Sequence, residues 1–87
     1  MEPTEIFTTE LENRFKQAKS KDKEWLVVKA GELEKATGLT NRIAICCGVM
    51  VAAMMPGDVV MASPPSGHST TFKVFYWMKY NGRNRSL

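Results

Sequence analysis

Two adjacent thiols, a single imidazole and a short polar cluster are the residues of this 87-residue chain whose types bear most directly on chemistry. Cys46 and Cys47 are neighbours in an apolar run, and neighbours on a helix point about 100° apart, so they are poorly placed to bond each other. A zinc site needs more ligands at suitable spacing, and the lone histidine, His68, has no further cysteine or histidine beside it. Catalysis needs a nucleophile, a base and an orienting group that converge. Here the thiols have no basic neighbour in sequence except Arg42. The sequence therefore predicts reduced, buried thiols acting as small apolar residues, no metal, no cofactor and no enzymatic activity.

The polar cluster is Thr40-Asn41-Arg42, which precedes the long apolar run from Ile43 to Met55. Amide and guanidinium side chains at the start of a helix are the types that read base edges in a major groove. Lys21 and Lys23 lie in a basic bend that can hold phosphates, while Ser66 and His68 lie in a Pro-Pro-Ser-Gly turn and add hydrogen-bond donors. Arg83 belongs to a basic tail. The formal net charge of +3 and pI of about 9.0 permit nucleic-acid contact without demanding it.

The elements that would position these groups follow from the pattern. Leu33 and Ala36 share a face over Gly31 to Thr37, and Gly38 suits the left-handed backbone that ends a helix. A second helix, capped by Thr40 or Asn41, is expected to run to Met55 before Pro56-Gly57. Helix, glycine turn and capped helix give the spacing of a helix-turn-helix. Upstream, Phe7, Leu11, Phe15 and Ala18 mark an amphipathic helix from Pro3 to about Ser20, and Trp25 to Ala30 is a short β-prone run. Downstream, residues 57 to 80 read as a β-hairpin with Phe72, Val74, Tyr76, Met78 and Tyr80 toward the core. On its other face Phe75 and Trp77 lie between Lys73 and Lys79, placed to stack on bases or cover a partner, or else to pack under the first helix or the tail.

The order helix, strand, helix, helix, hairpin predicts an α+β winged helix-turn-helix over residues 1–80, with a mobile tail at 81–87. Beyond Arg42 the second helix carries no charged or amide side chain. A helix apolar all round is buried on more than one side. Ile43, Cys47, Met50 and Met54 are expected to face the core, leaving Ala44, Gly48, Val51 and Met55 as a surface for a protein partner or a twin subunit.

Over roughly residues 4 to 80 the chain resembles the winged helix-turn-helix superfamily. More narrowly, NRIAICCGVM, MMPGDVV and PPSGHSTTFKV resemble a small uncharacterised bacterial and phage domain, sometimes found beside HNH nucleases. The matching residues are Arg42, Cys46-Cys47, Gly57-Asp58 and Pro64 to Gly67. The resemblance implies a DNA-binding role, although Val51, Ala52 and Ala53 stand where basic residues are expected and no HNH metal site can be assembled.

Two functions are thus expected in turn. The first is a small DNA-binding regulator of phage or mobile-element origin that contacts duplex DNA through Thr40, Asn41, Arg42, Lys21, Lys23, Ser66, His68 and Arg83. The alternative is a protein-interaction module, such as a phage-encoded inhibitor of a host defence complex, that uses Val51, Met55, Phe75 and Trp77. Homodimerisation is compatible with both. The acidic, polar N-terminus does not read as a secretory signal, and the Ile43 to Met55 run is shorter than the about 20 residues that span a bilayer. A cytoplasmic protein without membrane contact is expected.

Overall fold

The computed structural model describes residues 2–62 and 70–79, and within them the chain forms three helices and a three-stranded antiparallel sheet. Helix α1 (Pro3–Ser20) starts with proline, whose missing N–H is no loss in a first turn. Glu5 near its start and Lys19 near its end complement the helix dipole. Phe7, Leu11, Phe15 and Ala18 are buried, as their spacing predicts. The helix closes with paired bonds from Asp22 N to Lys19 O and from Lys23 N to Ala18 O, both 3.0 Å, around a left-handed Asp22 (φ 54°).

Strand β1 (Trp25–Lys29) runs straight into helix α2 (Ala30–Thr37). The junction is tied down because Ala30 N donates to Phe72 O at 2.8 Å and Gly31 N to Thr70 O at 3.0 Å. Gly31 is required by that close approach, since a Cβ there would sit 2.9 Å from Thr70 Cβ. Gly38, at φ 79°, ends α2 in the left-handed conformation expected of it.

Helix α3 (Ile43–Ala52) departs from the sequence expectation at both ends. Neither Thr40 nor Asn41 caps it. Asn41 is itself left-handed (φ 56°), the N-cap position falls to Arg42, and the Arg42 N–H donates to Glu34 Oε2 of α2 at 2.9 Å. The helix stops at Ala52 rather than Met55, because Met54 N donates to Val51 O in a tightened last turn and Met55 N donates to Asp58 Oδ2 at 2.7 Å.

Strands β2 (Val59–Ala62) and β3 (Lys73–Trp77) complete a sheet of order β1-β3-β2. In the register Trp25 faces Trp77, Val27 faces Phe75, and Lys29 faces Lys73; on the other side of β3, Val59 faces Phe75. One face of the sheet carries Val28, Val74 and Tyr76 into a core shared with Phe7, Leu11, Leu33, Cys46 and Met50. Phe72 and Met78 are buried with them; Tyr80, expected on that face, lies outside the described residues.

Burial of α3 follows the expected stripe in part, since Cys47 and Met50 are in the core but are joined there by Cys46 and Val49. Cys46, Cys47, Val49 and Met50 are buried, whereas Ile43 and Met54 only pack against the core's edge. Cys46 Sγ donates to Ala30 O, at the start of α2, at 3.5 Å, while Ile43 is half-buried. Among the described residues no helix is long and apolar enough to cross a membrane.

Candidate functional site

Three surfaces hold most of the described residues singled out from the sequence. The first is the turn before α3. Thr40, Asn41 and Arg42 are exposed, and Arg42 Nη1 donates to Asn41 O at 3.1 Å, so the guanidinium is folded back on its own turn. Lys21 and Lys23 do not share this surface. They line a polar groove with Glu10, Arg14, Gln17, Ala18 and Leu26 at the end of α1. Ser66, His68 and Arg83 lie outside the described residues.

The second surface is the outward side of α3 with the groove between α1 and α3. Ala44, Ile45, Gly48, Val51 and Ala52 are exposed on the helix, Val51 at 53%. Met55 is half-buried at the groove's end, opposite Thr4 and Thr8. The groove encloses about 520 Å³, floored by Leu11, Phe15 and Val49 and edged by Glu12. Gly48 opens onto it, and a Cβ added there would meet nothing within 4 Å. A helix-weakening glycine thus sits mid-helix with no neighbour among the described residues that requires it.

The third surface is the sheet face turned away from the helices. Phe75 and Trp77 are half-buried there; they do not pack under α1, which covers the opposite face. They are joined by Trp25, whose ring centre lies 4.9 Å from that of Trp77 and 6.2 Å from that of Phe75. Asp58 holds the end of this face, its Oδ1 accepting from Trp77 N at 2.6 Å while Oδ2 accepts from Met55 N.

Sequence reasoning missed Ile45 and Ala52 on the second surface and Trp25, Val27 and Val59 on the third. The strand alternation that placed Phe75 and Trp77 outward places Trp25 and Val27 outward once the β1–β3 register is known. Register between distant strands is not a local signal.

The thiols and charges are placed for structure. Burial pushes the Cys46 thiol up to about 12, with Cys47 and Glu34 adding to the shift. Asp22 is held below the usual carboxylate range by the hydrogen bond and charge of Lys79, its ion-pair partner on the surface. Among the described residues no three histidine, cysteine, aspartate or glutamate side chains gather to hold a metal.

Comparison with known protein families, curated proteins and solved structures gives no match for this chain.

Proposed function

We propose that this is a winged-helix binding module that recognises a protein surface through α3 and the adjoining α1–α3 groove. Element order supports the fold reading: helix, strand, helix, helix, strand, strand, with β3 between β1 and β2. In that architecture α3 is the helix that would enter a major groove. The observation that carries the proposal is that its solvent side presents Ala44, Ile45, Gly48, Val51 and Ala52, with no group able to pair with a base edge or a phosphate.

The same side chains suit a protein. Contiguous exposed apolar surface on a small domain marks an interaction site, and a groove between helices accepts an apolar side chain or helix edge. Gly48 permits close backbone approach by the partner. An inhibitor or adaptor that covers a site on a larger complex is the function this supports best, and the resemblance to bacterial and phage domains suggests that setting.

Duplex DNA is the second reading. Its support is the exposed Asn41-Arg42 pair at the α3 N-terminus together with the net charge of +3. It would be a contact by one helical turn, dominated by phosphates.

One experiment separates them. Wild type, Val51→Glu and Arg42→Ala are used as baits in lysate of the source cells and titrated in parallel with a labelled random-sequence duplex at low and physiological salt. A protein retained by wild type and Arg42→Ala but lost with Val51→Glu supports the proposal. Salt-sensitive duplex binding in the range of about 10⁻⁴ to 10⁻⁶ M that disappears with Arg42→Ala overturns it in favour of DNA.

A further inference from the structure

The outer face of the sheet is separate from the α3 surface and has a different chemistry. The cross-strand pairs Trp25 with Trp77, Val27 with Phe75, and Lys29 with Lys73 all fall on it, because successive residues of a strand point to opposite faces. Val59 extends the middle row across β3. The face is open: Trp25 is 39% exposed, and Val27 and Val59 are each 45% exposed. The aromatic rings are tilted against each other at 56° and 59° rather than closed into a stack, which leaves ring surface available.

The lysine row sets the kind of partner. Two like charges directly opposite on adjacent strands destabilise a sheet. Among the described residues neither Lys29 nor Lys73 has an ion-pair partner. An anion lying across the β1–β3 seam would remove that repulsion. From the tryptophan row to the lysine row the spacing is about 13 Å, four strand residues, which matches a ligand that presents flat rings at one end and negative charge at the other.

We infer that this face binds single-stranded nucleic acid, with unpaired bases stacking on Trp25, Trp77 and Phe75 and the phosphate backbone held by Lys29 and Lys73. Aromatic side chains on an open sheet take two or three bases in this way, and their faces are usable only by bases freed from a duplex. A protein partner would need a carboxylate placed about 13 Å from its apolar contact, whereas each nucleotide carries a flat base and a phosphate together. The site does not depend on the α3 reading.

The test uses the chain's own reporters, since its two tryptophans, Trp25 and Trp77, both lie on this face. A labelled short oligothymidylate is titrated into the protein while anisotropy and tryptophan emission are followed at low and physiological salt. Binding accompanied by tryptophan quenching, stronger for the single strand than for a duplex of equal length, is expected. Trp25→Ala should weaken it roughly tenfold or more. The double variant Lys29→Gln/Lys73→Gln should weaken it and flatten the salt dependence, with the quench retained at saturation. Val51→Glu should leave it unchanged, so failure of the α3 proposal and failure of this one are read separately. Three results overturn the inference: no binding at low salt, binding equal for duplex and single strand without quenching, or affinity unchanged in the double lysine variant. Should Trp25→Ala fail to fold, the wild-type quench and the lysine variant decide the matter.

Discussion

The phenol of Tyr76, in the middle of β3, donates a 2.8 Å hydrogen bond to the main-chain carbonyl of Met50 in the last turn of α3. Met50 O would ordinarily accept from Met54 N four residues on, but Met54 donates to Val51 instead. Tyr76 thus supplies the partner that the tightened helix end removes. It is fully buried, with Phe15 of α1 edge-on to its ring at 5.0 Å, so one side chain joins sheet, α1 and α3.

Tyr76→Phe keeps the ring packing and takes away the bond. Leaving a buried carbonyl short of its donor is expected to cost about 1–3 kcal/mol. Urea unfolding should show a lower midpoint with an unchanged slope, because the surface exposed on unfolding stays the same.

Asp58 makes the companion link, between the turn after α3 and the end of β3. Asp58→Asn leaves one acceptor oxygen where two N–H groups converge, so either Met55 or Trp77 loses its bond. Destabilisation of about 1–3 kcal/mol is expected. Amide hydrogen exchange at Met55 and Trp77 should quicken more than exchange in α1.

Much of this framework was legible in the sequence. Phe7, Leu11, Phe15 and Ala18 announced α1, and the alternation from Phe72 to Met78 announced which side of β3 is buried, because both are local periodicities set by backbone geometry. The cap of α3 was not legible. Thr40 and Asn41 are favoured caps by residue type, but Glu34 on the preceding helix serves the Arg42 N–H. The buried stripe of α3 was legible only at Cys47 and Met50: when nearly every residue is apolar, periodicity carries little information, and only the packing against α1 and α2 separates Val49 from Val51. Trp25 joined the aromatic face through a register between strands nearly fifty residues apart in sequence.

Gly48 distinguishes stability from contact. With open space around its missing side chain, Gly48→Ala should raise the stability of the isolated protein by about 0.5–1 kcal/mol through helix propensity. By placing a methyl group where the backbone of the proposed partner would approach, it should weaken partner binding. A higher melting temperature with weaker retention of the partner is the combination expected.

Burial of the Cys46 thiol has a pH signature. In the unfolded chain the thiol ionises near 9.0, whereas in the native protein it holds its proton up to about 12. Between these values the folded state binds more protons than the unfolded one, so this group's contribution to stability is fully present below 9.0 and is lost as pH rises toward 12. Alkylation of Cys46 should be slow in the native protein at mildly alkaline pH and fast in denaturant. Cys46→Ala should lessen the alkaline fall in stability.

The most direct measurement is photo-crosslinking with a photoreactive amino acid in place of Val51, the most exposed large hydrophobic residue of α3, in cells that naturally contain the protein. The account predicts a covalent adduct that protease removes and nuclease does not, formed with one partner and suppressed by a second substitution, Ile45→Glu, on the same surface. An adduct removed by nuclease, or none at all from a folded and expressed chain, would contradict it.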